Sequence, residues 1–468
     1  MKTAIPIPTP ANPRPRSGQR GAALLIAMLI VVLGLVTLLT FRSDRKGPEM
    51  EAERKTALAL AQAKEALLGY AAGVALSPSD PDRPGDLPCP DLDNDGVAEP
   101  TSCGNAAGST GQDRRLGRLP WRTLGLPDLR DGYGERLWYA VSNNFKKNTR
   151  TSILNSDTPG TITVRDSGGN LVLDGSGAMG AIAVIFSPGS AITLENGYAQ
   201  NRVCVPCDAQ EKCMTNPATS TPRCNPANYL DNALGEDNKN FVDNNPNGFI
   251  QGLVINAASR MILNDKLIAI TREDLMPLLE KRVAGEVLFC LTEYAAESNN
   301  QGRYPWAAPL NLAATPTYFD ASEVRFGRIP DTPFTKTNES SSNAMNLNWG
   351  ACNFVSGSPW WRNWKEMVFY AVADAYKPVD LSTPPVPAPV CGVPDDCLTV
   401  NLPSAATNRQ VAVFLAGRRL GNQQRTSPAD KGNIANYLEN QNATPADNIF
   451  QRSLVSGTFN DVILFTPK

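Results

Sequence analysis

The chain of 468 residues contains no histidine. That absence removes Ser-His-Asp and Cys-His nucleophile activation, histidine general-base work and every histidine-bearing metal site. The usual cell-surface hydrolases are excluded, and no carboxylate pair or nucleophile stands out to support a histidine-free enzyme. The glycine-rich lysine loop that cradles nucleotide triphosphates is also missing. Charge is sparse, at 19% of residues against 42% apolar, and no basic cluster occurs beyond the first 46 residues. Nucleic acid is therefore not an expected partner.

What is present begins with Gly21 to Phe41, GAALLIAMLIVVLGLVTLLTF. This uncharged apolar run lies between the basic leader MKTAIPIPTPANPRPRSGQR and the charged group Arg42, Asp44, Arg45 and Lys46. It is long enough to cross a ~30 Å hydrocarbon core as one helix. No short apolar core ending in small residues at alternate positions precedes Arg42, which disfavours an ordinary secretory signal. The seam Gln19-Arg20-Gly21-Ala22 and the RGAALL opening resemble the N-terminus of type IV pilin-like proteins. In that family a prepilin peptidase cuts a short basic leader after glycine, and the apolar helix is retained. The resemblance implies cleavage between Gly21 and Ala22, methylation of the new N-terminus, and a single-pass inner-membrane protein with a periplasmic or surface-exposed C-terminal body. It implies the inner membrane, other pilins or pseudopilins and the prepilin peptidase as partners. Most major pilins carry glutamate at the fifth mature place, where this chain has Ile26. That departure points to the minor pilins and tip pseudopilins, because a subunit with none above it loses nothing by omitting a carboxylate that is costly in hydrocarbon. An uncleaved bitopic anchor is the alternative.

The length leaves room for two or three domains of ordinary size. Loss of the leader's Lys2, Arg14, Arg16 and Arg20 would take the net charge from −2 to −6. Ten cysteines clustered in Pro-, Asn- and Asp-rich stretches suit disulfides in an oxidising compartment.

A long-period repeat organises the body. RKTALALAQAKEALLGYAAG in the first copy aligns with EKRVAGEVLFCLTEYAAESN in the second, placing Leu67 on Leu291 and Tyr70 on Tyr294. In the same order GRLP answers GRIP, GERLWYAVSNNF answers WKEMVFYAVADAY, and AIAVIFSPG answers QVAVFLAG. ANYLD then answers ANYLE, FIQGLV answers FQRSLV, and NDKLIAIT answers NDVILFT. The expected division is a leader over 1–21, a transmembrane helix over 22–46, a first pilin-like repeat over 48–271 with a Cys-rich insertion at 201–226, and a second repeat over 272–468. Thr271 is placed to cap the second helix, with Glu273 and Asp274 in its first turn. On the first helix Ala57, Leu60, Ala61, Leu67, Leu68 and Ala71 fall on one face. Strands are expected at ERLWYAVS, the hairpin ITVRDSGGNLVLDG, AIAVIFS and KLIAIT. The fold class expected is α+β: an N-terminal transmembrane helix, then a tandem duplication of a pilin-like domain in which a helix lies on an antiparallel sheet.

Among candidate sites, the DxDxDG loop Asp91-Leu-Asp93-Asn-Asp95-Gly96 gathers carboxylates on one turn. With the Val97 carbonyl and Glu99 it could supply oxygens for calcium, which takes six to eight. Ser102 at the twelfth place rules out an EF-hand, and a solvated acidic turn is the alternative. Cys89 and Cys103 bracket this loop. Cys204, Cys207, Cys213 and Cys224 have a spacing that zinc could use in a reducing compartment, whereas two disulfides fit an oxidising one. Cys391 with Cys397 would staple a Pro-rich excursion and Cys290 with Cys352 is the pair left over, so connectivity stays open. Gly175-Ser-Gly177-Ala-Met-Gly180 matches GxGxxG, but the apolar run after it is too short for a dinucleotide-binding helix and a tight turn fits better. Trp360, Trp361, Trp364 and Tyr370 could form an exposed aromatic platform or a packed core. The leading expectation is a structural, non-enzymatic subunit of a type IV pilus or type II secretion system. A calcium-dependent binding or adhesion protein anchored in the membrane is the alternative.

Overall fold

The computed structural model describes residues 47–74, 83–99, 112–147, 152–202, 224–240, 248–331, 359–379 and 396–466 apart from 178 and 405, together with 387–391 and isolated positions such as 103, 349, 352 and 354. Within these residues the chain is a mixed α+β protein built from several small sheets. Two expectations are corrected. No helix among the described residues is long and apolar enough to cross a membrane, so neither a fold opened by a transmembrane helix nor single-pass inner-membrane anchoring is supported. The leader and the apolar segment 22–46 lie outside the described residues. The two long helices that are described carry charge along their length, from Glu49 to Glu65 on one and from Arg272 to Glu293 on the other.

Helix α1, residues 47–73, buries Thr56, Ala59, Leu60, Ala63, Leu67, Leu68 and Ala71. These recur at steps of three and four, the spacing of one helical face. Ala57 and Ala61 point to solvent instead, so the buried stripe is out of phase with the expected one at its N-terminal end. Small side chains give a weak signal there, since alanine is accommodated on either face. Lys64, half-buried, donates to Ala269 O at 3.1 Å and pairs with Asp274 at 2.9 Å.

Strands β1 (Leu116–Arg118), β2 (Trp138–Val141), β3 (Ala183–Ser187) and β4 (Lys266–Ile270) form an antiparallel sheet in that spatial order. One face, with Tyr139, Val141 and Ile185, joins the core beneath the helices. The other face, with Trp138, Ala140, Val184 and Phe186, packs under Ile162, Val164, Tyr229 and Phe249. Both faces are covered, which is why the central strands read as unbroken apolar runs rather than alternating ones.

A second sheet repeats the first strand for strand. Strands β5 (Phe326–Arg328), β6 (Val368–Val372), β7 (Val411–Leu415) and β8 (Val462–Phe465) pair antiparallel in the same order. Its helix, α2 (Arg272–Ala296), is capped at Thr271, whose amide and hydroxyl both donate to Asp274 at 2.8 and 3.0 Å. The acids Glu273 and Asp274 sit at the positive end of the helix. Buried side chains of α2, including Leu279, Val283, Val287 and Leu291, belong to one apolar cluster with Leu67 of α1, Tyr139 of the first sheet and Val413 of the second. The two halves therefore share a single core.

Each half also carries the same buried polar network. Asp265 Oδ2 accepts from the Asp231 amide at 2.8 Å and from Asn238 Nδ2 at 2.9 Å, while Asp231 accepts from Gln200 Nε2 and the Asn264 amide. In the second half Asp461 Oδ2 accepts from the Glu439 amide and Asn442 Nδ2, both at 3.0 Å. Glu439 in turn accepts from Gln423 Nε2 and the Asn460 amide. Asp265 Oδ1 and Asp461 Oδ1 are buried and accept no hydrogen bond among the described residues. Burial, reinforced by the neighbouring acid, pushes the Asp265 and Asp461 carboxyls well above the usual carboxylate range, and burial pushes Asp231 up to about 6.

Raised values in the folded state mean that these groups hold their protons more tightly folded than unfolded. Their stabilising contribution is complete below an ordinary carboxylate pKa of about 4 and is lost as pH rises through the folded values. Asp265→Asn combined with Asp461→Asn removes the part due to Asp265 and Asp461, because an amide reproduces the protonated acid, and leaves that of Asp231. Urea denaturation at pH 4 and pH 8 should show the unmodified chain losing more stability across the interval than the double variant. Parallel losses would refute the assignment.

Candidate metal centre

The DxDxDG loop grows outward from the edge of the first sheet. Asp91 and Arg118 exchange backbone hydrogen bonds at 2.9 and 2.7 Å, which adds the loop to strand β1. A side chain on Gly117 would come within 2.7 Å of Asp91 O, so glycine permits this approach. The chain then turns back through Asn94 and Gly96, both with positive φ (65° and 86°). The carboxylates brace the turn. Asp91 accepts from the amides of Gly96 at 2.7 Å and Asp95 at 3.2 Å, Asp93 accepts from Asp95 N, and Asp95 accepts from Val97 N at 2.7 Å. Further on, Glu99 Oε1 accepts from the Leu92 amide at 3.2 Å and folds its carboxylate back over the loop.

The platform beneath is polar and aromatic. Gly96 lies against the Trp121 indole and accepts from Arg122 N at 2.7 Å, while Ala98 N donates to Thr123 Oγ1 at 2.8 Å. Arg136, paired with Asp128 at 2.9 Å, donates to Asn94 O. Cys89 and Cys103 are disulfide-bonded across the loop, 14 residues apart. A closure of that size removes unfolded-state entropy equivalent to roughly 3 kcal/mol in the chain-entropy account.

The geometry brings Asp91, Asp93 and Glu99 together, each with a carboxylate oxygen within 4.8 Å of the others. Asp95 is not in this group, and Val97 is exposed with its amide turned to Asp95. Burial pushes Asp91 up to about 7 against the help of the Gly96 amide, with Asp95 and Asp93 adding to the rise. Burial likewise raises Glu99. Three hard oxygen donors crowded together, two of them held where their charge is disfavoured, suit a hard divalent cation whose remaining ligands are water or backbone oxygens.

The other candidate residues are placed as follows. Gly21, Ala22, Cys204, Cys207 and Cys213 lie outside the described residues. Cys224 is buried and disulfide-bonded. Cys290 is bonded to Cys352 and Cys391 to Cys397. The GxGxxG stretch is a close backbone approach: side chains on Gly175 or Gly180 would strike Thr161 O or Gly160 O. Trp360, Trp361, Trp364 and Tyr370 are wholly buried, so they form no exposed platform.

Sequence reasoning missed two repeated devices. One is the pair of carboxyl networks, whose signal lay in the repeated ANYL-acid and Asn-Asp pairs. The other is an arginine at the end of each edge strand. Arg118 lies over Trp138 and Tyr229 at 4.5 and 4.0 Å, and Arg328 lies over Phe369 and Tyr437 at 4.5 and 4.7 Å. No family model, no curated protein and no solved structure matches the chain.

Gly96→Ala places a methyl against the Trp121 indole at a positive φ, and should cost about 1–3 kcal/mol of stability. Denaturant midpoints would show the loss, and limited proteolysis should cut first between 93 and 99. An unchanged midpoint would mean that the loop does not depend on this turn.

Proposed function

We propose that this chain is a structural subunit of the minor-pilin or pseudopilin kind, serving a type IV pilus or a type II secretion system by contact rather than by catalysis. The observation that carries the reading is the seam Gln19-Arg20-Gly21-Ala22 with its RGAALL opening. The body supports it in three ways. There is no histidine to activate a nucleophile. The aromatic residues that could have lined a ligand platform are buried in the core. Finally, the two long helices are each laid against an antiparallel sheet, a layout suited to presenting surfaces. Co-production with a prepilin peptidase should yield a chain whose first residue is Ala22, read by intact mass and N-terminal sequencing. A chain that still begins at Met1 would overturn the reading.

A second reading, a calcium-dependent binding module, is favoured by one specific observation: Asp91, Asp93 and Glu99 converge on a disulfide-closed loop. Calcium bound only by the folded chain stabilises it by mass action. Calorimetric titration of the full chain should show heat with calcium, and Asp93→Ala or Glu99→Gln should weaken the affinity at least tenfold. Absence of heat, or identical titrations for the variants, would leave the loop as plain structure.

A further inference from the structure

Helix α2 turns a guanidinium and a carboxylate into one cavity without pairing them. The cavity measures about 100 Å3 and opens at the surface where the two halves meet. Its polar lining is Ser156 of the first half with Arg272, Glu280 and Asn460 of the second, and these are 0%, 8%, 7% and 8% exposed. Arg272 Nε is buried and donates no hydrogen bond among the described residues. The other contacts of that guanidinium are weak: Nη2 reaches Met179 Sδ at 3.9 Å, and the half-exposed Glu273 carboxylate stands 4.0 Å from Nε. Glu280 forms no ion pair among the described residues, and burial pushes its carboxyl up to about 7, against the help of Ser156, Arg272 and Arg425 and with Asp157 adding to the rise. Asn460 spends its amide on Arg418 O at 2.8 Å and leaves a buried Oδ1 that accepts nothing among the described residues. At the mouth Glu273 and Arg418 face each other at 3.9 Å.

The repeated fold does not require this pair of charges. In the alignment that places Leu67 on Leu291, Arg272 and Glu280 answer Pro48 and Thr56 of α1. Thr56 is neutral, and its hydroxyl accepts from the Gly132 amide at 2.9 Å. Asn460, by contrast, answers Asn264, whose amide donates to Ser190 O at 2.9 Å as that of Asn460 does to Arg418 O. The asparagine belongs to the scaffold of both halves, and the opposite charges belong to the second alone. A buried charge is costly unless it is paired and hydrogen-bonded. Positions eight apart on a helix lie ~12 Å apart along its axis, so Arg272 and Glu280 are spaced for a molecule between them rather than for each other.

We propose that this cavity binds a small zwitterion of the α-amino acid class. The ligand's ammonium donates to Glu280 and to Asn460 Oδ1, its carboxylate accepts from Arg272, and its side chain lies against the apolar wall of Met276, Pro277, Val455 and Val462. Contacts of this kind between ionised groups are the strong hydrogen bonds of proteins. A cavity of about 100 Å3 has room for three or four waters at ~30 Å3 each, or for roughly six non-hydrogen atoms, which admits alanine or serine and excludes an aromatic amino acid. Because Ser156 comes from one half and α2 from the other, a bound ligand would also hold the halves together by mass action. The proposal stands apart from the structural-subunit reading and does not depend on it.

The test is calorimetric titration of the full chain with L-alanine, beside N-acetyl-L-alanine, which lacks the ammonium, and L-alaninamide, which lacks the carboxylate. L-alanine should bind with a millimolar or tighter dissociation constant. Both analogues, and L-phenylalanine, should bind at least tenfold more weakly. Glu280→Gln and Arg272→Gln should each weaken L-alanine at least tenfold. Val455→Trp, at a 72% exposed position on the cavity wall, should block entry with thermal melting unchanged. The analogue series uses the unmodified chain and Val455→Trp alters only an exposed side chain, so the outcome stays decisive if a core variant fails to fold. Equal affinity for L-alanine and its two analogues, or unchanged L-alanine binding by Val455→Trp, would overturn the proposal. No heat with L-alanine, glycine or L-serine would mean that the cavity takes water only, and would overturn it as well.

Discussion

Burial of helix α2 is the constraint on which the rest of the structure depends. Its apolar residues cannot be divided between two independent domains, because they form one cluster with α1, with the first sheet and with the second. Leu279 approaches Gly85 of the first half, and Arg282 donates to the carbonyls of Ala72 and Val74. A fully buried leucine contributes about 2 kcal/mol of transfer free energy. Separating the halves would expose several such residues at once. The Cys290–Cys352 bridge pins the far end of the same helix beside the Trp349, Phe354 and Trp361 cluster.

Around that helix the two halves repeat the same four-stranded sheet. The registers of the two sheets match pair by pair, from the glycine-arginine end of the edge strand to the asparagine-aspartate that enters the last one. The carboxyl networks and the arginines stacked on aromatic rings recur as well, so the repetition extends to buried polar detail that hydrophobic patterning alone would not require. Networks of this kind are favourable when every group is satisfied and costly when one is not. Asp265 Oδ1 and Asp461 Oδ1 accept no hydrogen bond among the described residues, and burial holds both carboxyls above the usual carboxylate range.

Much of this was legible in the sequence because it was written twice. GERLWYAVS and WKEMVFYAV lie on β2 and β6, and AIAVIFS and QVAVFLAG lie on β3 and β7. The carboxylate loop was visible as a local motif, and Asp91, Asp93 and Glu99 do converge, while Asp95 turns to a neighbouring amide. What escaped was non-local or weakly patterned. Asp231 and Asp265 are 34 positions apart and meet only because a strand end returns to a loop. The phase of α1 rested on alanines, which carry little hydrophobic signal, and so Ala57 and Ala61 were misplaced. The apolar segment before Gly47 carried the strongest sequence signal, yet it lies outside the described residues, and none of the described helices resembles it.

The single core has a mechanical meaning. Two domains joined by a linker act as springs in series, and the weaker one lengthens first under load. Here a pull applied across the chain loads α2, whose buried residues share one cluster with α1 and with the second sheet, and the Asp157 contacts to Arg419 and Arg425 also join the halves. The duplicated body would bear tension as one stiff block.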